Sequence, residues 1–495
     1  MKNSKFLYIL FIALCSLLQS CYKDESTSAI MNIPEVRYSN VNPEYILTSL
    51  VDTLKIKPVL AEDVNADAYT YQWLLYTTNH NPANTELAKA DTLGNNKDLA
   101  YFIVQKPGKY ILTFNIKHKE SGIINITRYD VTISTRTMNG WYLLKDENNE
   151  TDLDFFHAKG EIRNWIAYFN GGKSLPGNSI KTIFVPGMKT KISSTDLFGA
   201  LGVLTDKDAG IYKLADGSVQ YRYDNMFFVK PAIRKPENLY MSMGGTLVMI
   251  NDSQANIMYR GSYFGDAAIN SYRIANKAAI SAIDIYFDDR SKSLIYLSGL
   301  NFREFLSNGN TLKNTGMDLL WMEGYVYPRN STSLLLKNPT TKTGRLIKIA
   351  SNPTDVGTAS RTLVTKDTLI ASTFPILSAD IIGGSYDNDI LYYAKGNQLF
   401  AMDYSSLEST LQTTFGLDEK ITLIQHIKYP VPGANVVNKI NYLAVATYAN
   451  GRYKVWLFSI NSLGRLVPKT TPDFQGSGRV TCVTYLENGE GSRTF

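Results

Sequence analysis

The sequence predicts an all-β protein in which a β-sandwich is followed by a β-propeller of about seven blades. Residues that favour strands are abundant, since the chain holds 32 Tyr and 21 Phe among its 495 residues. Helical periodicity is almost absent after the N-terminal segment, whereas short apolar runs separated by turn residues recur to the C-terminal end. Together these features favour strands throughout.

The first 20 residues have the pattern of a cleaved signal peptide. Lys2 and Lys5 precede an apolar run from Phe6 to Leu18, which is shorter than the roughly 20 residues that span a bilayer. The run ends in Leu18-Gln19-Ser20-Cys21, which resembles a bacterial lipoprotein signal. The resemblance implies a signal peptide over residues 1–20, a cysteine at 21 that carries lipid such as palmitate, and a lipidated linker over 21–33.

The residues that follow this cysteine indicate where in the cell the protein is located. Asp24 and Glu25 resemble the surface-export signal of Bacteroidetes lipoproteins. That resemblance implies a lipid anchor in the outer membrane and exposure at the cell surface, and a periplasm-facing lipoprotein is the alternative.

Charge and cysteine content exclude two classes of protein. The formal net charge is +6 and no dense block of Lys or Arg occurs, so a nucleic-acid partner is not expected. Of three cysteines, Cys15 leaves with the signal peptide and Cys21 carries the lipid, so no disulfide framework is possible. Cys482 stands in an alternating run, which predicts a buried cysteine on a strand.

Residues 34–136 are predicted to form the β-sandwich. Five strand-like runs separated by Gly and Pro turns occur over 54–59, 69–76, 100–104, 110–118 and 123–134. Tyr71 and Trp73 share one face of their strand, and we expect Trp73 in the core. The Tyr71-Gln72-Trp73 strand and the later Gly108-Lys109-Tyr110 strand resemble PKD domains. The usual Gly-Asp-Gly after the Trp strand is missing, so the resemblance is to a divergent, PKD-like member.

Residues 140–495 are predicted to form the propeller, because seven hairpins follow one another. Asp216-Gly217 and Asn450-Gly451 are strong hairpin turns, since both central positions adopt positive φ readily. Seven four-stranded blades fit this length, and the run 480–485 would complete the first blade. Six or eight blades, a large β-sandwich or two stacked sandwiches remain alternatives. The hairpins are 142–156, 210–217, 247–259, 283–297, 334–349, 391–402 and 442–458.

The whole layout resembles the PKD-like family of Bacteroidetes lipoproteins. The resemblance implies an accessory protein of a SusC/SusD-like transporter that imports nutrients, and it carries over no catalytic residue.

The sequence carries no recognisable catalytic, metal or cofactor motif. The four histidines form no His-x-x-x-His pair, and nucleotide-binding and nucleophile-elbow motifs are missing. Paired carboxylates of a glycoside hydrolase are placed by the fold, so they stay possible. The carboxylates considered, most of them expected in turns, are Asp284, Asp288, Asp289, Glu323, Asp387 and Asp389.

Tryptophans are the better lead to a binding site, because an aromatic face stacks on sugars or apolar side chains. Trp141, Trp165, Trp321 and Trp456 lie in the second part. Trp456 is expected in the core, and Trp165 and Trp321 are the predicted ligand-binding residues.

The expected function is non-enzymatic binding of an extracellular glycan or peptide at the cell surface, for import. One alternative is an extracellular propeller enzyme, a hydrolase or a lyase, that cleaves glycans. The other is a structural adhesin or an assembly partner of the transporter.

Overall fold

The computed structural model describes residues 36–491, with gaps at 78–89, 159, 195–196, 243–244, 260, 268–271, 300, 306–311, 326–328, 352–362, 431–436 and 488. The predicted signal peptide (1–20) and the lipidated linker (21–33), with Cys21, lie outside the described residues. Within the described part, strands dominate and one α-helix occurs, so the prediction of an all-β protein is confirmed. No helix in these ranges has the length and hydropathy needed to cross a membrane.

Contacts between residues divide the chain into two compact units. The first comprises the described residues up to Leu47, with Asp52–Val104 and Gly108–Thr132. The second comprises Thr48–Val51, Gln105–Pro107 and the described residues from Ile133 onward.

The first unit is built on a five-stranded sheet in the order β2-β9-β8-β5-β6, with two-stranded sheets β1-β4 and β3-β7. These strands are β1 (Tyr38–Ser39), β2 (Glu44–Thr48), β3 (Thr53–Ile56), β4 (Val59–Leu60), β5 (Tyr69–Thr77), β6 (Asp91–Gly94), β7 (Leu99–Phe102), β8 (Gly108–His118) and β9 (Ile124–Ser134).

Trp73 lies in the core of this unit, as predicted. Its side chain is fully buried and stacks on Phe114, with ring centroids 4.0 Å apart. Tyr71 stacks on the same ring at 5.9 Å, which confirms that Tyr71 and Trp73 share a face. The Trp73 Nε1 donates to the carbonyl oxygen of Asn96 at 3.1 Å, so the buried indole keeps a hydrogen-bond partner.

The described residues of the second unit form seven antiparallel sheets, numbered here in chain order, and none of these sheets closes on itself. Sheet 1 has the order β12-β11-β10-β38-β39 with β13 beside β11, and sheets 2 to 7 are each four consecutive strands paired in sequence.

Sheet 1 consists of β10 (Gly140–Glu147), β11 (Glu150–His157), β12 (Gly160–Ile162), β13 (Leu175–Pro176), β38 (Arg479–Glu487) and β39 (Glu490–Gly491). Sheet 2 consists of β14 (Ser179–Lys189), β15 (Leu197–Thr205), β16 (Ala209–Lys213) and β17 (Val219–Arg222). Sheet 3 consists of β18 (Pro236–Met241), β19 (Leu247–Asn251), β20 (Gln254–Tyr259) and β21 (Tyr263–Ala267). Sheet 4 consists of β22 (Ile274–Ile280), β23 (Asp284–Asp288), β24 (Ser293–Ser298) and β25 (Asn301–Glu304).

Sheet 5 consists of β26 (Asp318–Tyr325), β27 (Ser331–Lys337), β28 (Gly344–Ala350) and β29 (Val364–Ile370). Sheet 6 consists of β30 (Ile381–Gly384), β31 (Ile390–Lys395), β32 (Gln398–Asp403) and β33 (Ser409–Thr414). Sheet 7 consists of β34 (Lys420–Tyr429), β35 (Ile440–Ala449), β36 (Arg452–Phe458) and β37 (Phe474–Ser477). The α-helix α1 (Trp165–Phe169) follows β12, and short 3₁₀ helices cover Ala66–Ala68, Arg136–Met138, Tyr223–Asn225 and Pro375–Ser378.

All seven predicted hairpins are confirmed, and each lies in a different sheet. Their strand pairs are β10-β11, β16-β17, β19-β20, β23-β24, β27-β28, β31-β32 and β35-β36. Successive sheets contact one another through their first strands, from β14 through β18, β22, β26 and β30 to β34, and β38 contacts both β34 and β14. Apolar side chains fill the spaces between adjacent sheets.

Sheet 1 joins residues from both ends of the second unit. β38 pairs with β10, with Leu143 opposite Val483, so the predicted pairing of the run 480–485 with the first hairpin is confirmed. Asp146 on β10 accepts hydrogen bonds from Arg479 at 3.1 and 2.7 Å and from the backbone N–H of Ser179 on β14 at 2.9 Å. Cys482 is buried on β38, as predicted.

Candidate functional site

Neither predicted ligand-binding tryptophan reaches the surface. Trp165 on α1 has no exposed area, and its ring packs edge-on against Tyr142 at 5.5 Å and Phe169 at 5.4 Å. Trp321 on β26 is 7% exposed and belongs to the apolar core between sheets 5 and 6. Rings with so little exposed surface offer no open face to a ligand, so their positions lend the predicted role no support. Trp456 is also buried, and its predicted core role is confirmed.

A different tryptophan, Trp141, lines an open cleft beside β10. The cleft has a volume of about 500 Å³, which is in the range of small-molecule sites. We call it the aromatic cleft. Its lining residues are Trp141, Ile440, Tyr442, Leu457, Ser459, Val467, Pro468, Lys469, Asp473 and Phe474.

Strand geometry explains how the ring of Trp141 comes to the cleft. Side chains alternate along β10, so Tyr142 points into the fully buried core while its neighbour Trp141 faces the other side and stays half-buried. The Trp141 ring lies 4.8 Å from that of Tyr485 and 6.0 Å from that of Phe474. These neighbours fix the orientation of the indole, while part of its surface remains open.

The charged groups that line the aromatic cleft form an ion pair, and Tyr442 and Ser459 add hydroxyl groups. The Lys469 Nζ lies 2.6 Å from Asp473 Oδ1 and 2.7 Å from Asp473 Oδ2. Asp473 Oδ2 also accepts the backbone N–H of Leu457 at 2.7 Å, which holds the carboxylate in place. The cleft therefore offers rigid aromatic faces with a positioned donor and acceptor at its edge.

Three of the six candidate catalytic carboxylates, Glu323, Asp387 and Asp389, lie in one hydrogen-bonded group at sheets 5, 6 and 7, away from the aromatic cleft. We call this group the polar cluster. Its members are Glu323, Tyr325, Arg329, Tyr386, Asp387, Asp389, Tyr404 and His426.

Glu323 is the buried carboxyl of the polar cluster. It is 8% exposed, and burial raises its pKa to about 7. The Tyr325 hydroxyl lies 3.4 Å from Glu323 Oε2 and 3.3 Å from the Tyr404 hydroxyl. A Cβ at Gly384 would stand 1.7 Å from Glu323 Oε2, so only glycine allows β30 to approach this carboxyl.

His426 is held in one tautomer by its two partners. The backbone N–H of Tyr386 donates to His426 Nδ1 at 2.8 Å, so Nδ1 is the acceptor and the proton sits on Nε2. The Nε2–H then donates to Asn441 Oδ1 at 2.7 Å. Burial lowers the pKa of His426 to about 4, which keeps the ring neutral near pH 7.

The two aspartates of the polar cluster are paired with cations. Asp387 accepts hydrogen bonds from Lys428 and, at 2.9 Å, from Asn441. Burial alone would raise the pKa of Asp387, but these partners lower it overall. Asp389 is bound by Arg329 and, at 2.8 Å, by Lys348. Such pairing is typical of a network that holds sheets together, and Glu323 is left as the carboxyl suited to proton transfer.

The remaining three carboxylates do not join the polar cluster. Asp288 is the last residue of β23 and accepts the backbone N–H groups of Arg273, Arg290 and Ser291, while Asp289 lies in the turn that follows, as expected for most of the six. Asp284 lies on β23 and Asp289 pairs with Lys292 at 3.6 Å. Among the described residues, no group of three His, Cys, Asp or Glu side chains is placed to hold a metal ion.

Part of the chain is similar to a known protein family. A model of the PKD-like family matches residues 21–178, which runs from the predicted lipidation site through β13. No curated protein sequence matches the chain.

Several solved structures are similar to this chain at low identity. A quinonprotein alcohol dehydrogenase-like protein from Bacteroides thetaiotaomicron is 14% identical with a TM-score of 0.41, over 92% of this chain and 99% of that one. PorZ, a surface component of the type-IX secretion system of Porphyromonas gingivalis, is 12% identical with a TM-score of 0.32, over 79% and 51%. The extracellular domain of a putative one-component system from B. thetaiotaomicron is 11% identical with a TM-score of 0.31, over 82% and 54%.

Proposed function

We propose that this protein is a non-enzymatic, cell-surface lipoprotein that captures an extracellular glycan for an outer-membrane nutrient uptake system. The lipoprotein part of the proposal is supported by the Leu18-Gln19-Ser20-Cys21 pattern, with the lipid on Cys21 and the mature chain on the outer face of the outer membrane. The binding part is supported by the aromatic cleft.

The second unit is proposed to be a seven-bladed propeller, with one sheet per blade. Support comes from the order of contacts, since first strands meet from β14 through to β34 and β38 meets both β34 and β14. A hydrogen bond of 2.7 Å from the Tyr453 hydroxyl to Asp154 also links sheet 7 to sheet 1. Stacked sandwiches, the alternative, would not require one strand to contact the first and last of the other sheets.

The observation that carries the binding proposal is the half-open ring of Trp141 beside Tyr442 and Phe474 in a cleft of about 500 Å³. Aromatic faces bind the apolar faces of sugar rings, and rigid rings lose little entropy on binding. The Lys469–Asp473 pair at the edge supplies a donor and an acceptor for hydroxyl groups. This combination favours a glycan over a purely apolar ligand.

The test is a glycan array probed with the soluble chain, residues 22–495, followed by titration of every hit. Trp141→Ala is expected to weaken glycan binding about tenfold or more, as loss of a central aromatic contact does. Tyr168→Ala is the matched control, because Tyr168 is an aromatic residue 68% exposed outside the cleft. Equal binding by wild type and Trp141→Ala would refute the assignment of the cleft.

A glycan hydrolase or lyase is the second candidate, and it is favoured by one observation, the buried Glu323 with a pKa of about 7. A carboxyl that holds a proton near neutral pH is suited to act as a general acid. Product analysis of each glycan hit decides between the two candidates. Turnover that disappears in Glu323→Gln would replace the binding-only proposal with an enzymatic one.

The partner is proposed to be a SusC/SusD-like transporter in the same membrane. Co-purification of the lipidated protein with such a transporter only when glycan is present would support a capture role. Co-purification without any glycan would favour the third candidate, a structural adhesin or transporter assembly partner.

A further inference from the structure

A second cleft, with walls of a different chemistry, lies between sheet 3 and the segment that connects β17 to β18. Its volume is about 440 Å³, and it shares no lining residue with the aromatic cleft. We call it the aliphatic cleft. Its lining residues are Val229, Lys230, Pro231, Ala232, Ile233, Asn251, Asp252, Gln254 and Asn256.

The wall formed by the connecting segment, residues 229–233, is mostly aliphatic and unusually exposed. Val229 is 63% exposed and Ile233 is 56% exposed, with Phe228 beside them at 51%. Three large apolar side chains turned to solvent within six residues are costly in a water-facing loop, and such patches mark interaction sites. Because the lining holds no aromatic ring, it does not offer the flat faces on which sugar rings stack.

The connecting segment is held in place at both ends, so the cleft is preformed. The Phe228 backbone N–H donates to the Phe264 carbonyl at 2.9 Å. Asn251 Nδ2 donates to the Ile233 carbonyl at 2.8 Å, and the Asp252 backbone N–H donates to the Lys235 carbonyl at 3.0 Å. A preformed cleft binds without the entropic cost of ordering a loop.

Asn256 supplies an unused hydrogen-bond acceptor. Asn256 lines the cleft and is 2% exposed. The Nδ2 donates to the Gly265 carbonyl at 3.1 Å, which fixes the orientation of the amide. The Oδ1 has no partner among the described residues. A buried acceptor without a partner is destabilising, and a ligand that donates an N–H group would satisfy it.

The cations around the cleft are already paired. Lys230 and Arg234 both lie 2.5 Å from Asp224, and Lys235 lies 2.8 Å from Glu237. Lys235 also lies 3.6 Å from Asp252, which lines the cleft. These three cations and three carboxylates balance, so the cleft carries no net charge and matches a neutral ligand.

We propose that the aliphatic cleft binds a short, neutral, extended peptide segment with aliphatic side chains. Val229 and Ile233 contact the aliphatic side chains, and Asn256 Oδ1 accepts a backbone N–H of the peptide. This site is independent of the glycan site, so either can fail without the other.

The test is calorimetric titration of the full chain with acetyl-Leu-Thr-Leu-Thr-Leu-amide. We expect saturable binding that weakens about tenfold or more in the double variant Val229→Ser with Ile233→Ser. The matched control is Leu369→Ser with Leu411→Ser, two exposed leucines on sheets 5 and 6, which should change affinity less than about twofold. Backbone N-methylation of the peptide is expected to weaken binding to a similar extent as Asn256→Leu.

Three outcomes would overturn the proposal. One is no saturable binding of the peptide at millimolar concentration. Another is equal binding by wild type and the Val229/Ile233 double variant, a result that does not depend on whether Asn256→Leu folds. The third is binding of maltopentaose, instead of the peptide, that is lost in the double variant, because the cleft would then be a sugar site.

Discussion

Glu323 and His426 are both buried in the polar cluster, and burial shifts each pKa in the direction that favours the neutral side chain. For the carboxyl this means a pKa above its ordinary value, and for the imidazole a pKa below it. The two residues therefore make the free energy of unfolding depend on pH with opposite signs, over overlapping windows below pH 7.

For Glu323, the folded pKa of about 7 lies above the ordinary value of 4.5. Between these values the folded protein keeps a proton that the unfolded chain releases, so stability is lost as pH rises through this window, by up to about 3 kcal/mol. Glu323→Gln should remove this loss. The measurement is urea unfolding at pH 5, 6, 7 and 8, with Glu408→Gln as an exposed control; an unchanged slope in Glu323→Gln would contradict the expectation.

For His426, the folded pKa of about 4 lies below the ordinary value of 6.5. The unfolded chain takes up a proton below pH 6.5 that the folded protein does not, so stability present above pH 6.5 is lost as pH falls toward 4. In His426→Gln, the free energy of unfolding should fall by about 3 kcal/mol less than in the wild type over this pH range. Acid unfolding followed by tyrosine and tryptophan fluorescence measures it, with His157→Gln as control, and identical curves for wild type and His426→Gln would refute it.

The tryptophans show how far single residues can be predicted from sequence. Alternation along a strand tells which residues share a face, and it correctly grouped Tyr71 with Trp73. It does not tell which face stays open, since that depends on how neighbouring sheets pack. Alternation therefore gives no reason to prefer Trp141, which lines the aromatic cleft, over Trp165 and Trp321, which are buried. No local signal distinguishes these three residues.

At the scale of elements, the short helix α1 depends on one side chain. Asp152 on β11 accepts the backbone N–H groups of Ile166 at 2.7 Å and Ala167 at 3.1 Å, which would otherwise be unpaired at the helix start. Asp152→Ala should cost about 1–2 kcal/mol of stability and speed hydrogen exchange at these two amides. Asp152→Asn keeps one acceptor and should lose less, and Asp216→Ala, a turn variant, should leave both amides unchanged. Unaltered exchange in Asp152→Ala would rule out this capping role.

Hairpins were predictable because their turns carry a local signal. Asn450-Gly451 adopts positive φ at both positions, 49° and 77°, and the flanking apolar runs supply buried strands. The outer strands β12 and β25 were not predicted, because they are short and mostly exposed and so lack an apolar pattern. The helix α1 was missed for a similar reason, since five residues are too few to show helical periodicity.

At the scale of the whole molecule, the second unit depends on β38. This strand pairs with β10 and contacts β14 and β34, so its loss would expose the cores on both sides of sheet 1. Truncation after Gly478 should abolish cooperative thermal unfolding of the second unit, whereas truncation after Gly491 should preserve it. Calorimetry on both variants makes the comparison, and a cooperative transition in the shorter chain would contradict a ring of sheets.

The same strand constrains when the protein can fold. Asp146 and Arg479 are 333 positions apart in the chain, so β10 emerges from the ribosome long before its neighbour has been synthesised. Until then β10 presents an unpaired edge, which is prone to pairing with other chains. Sheet 1 can therefore be completed only after β38 has been synthesised, and the open edge of β10 must be kept from other chains until then.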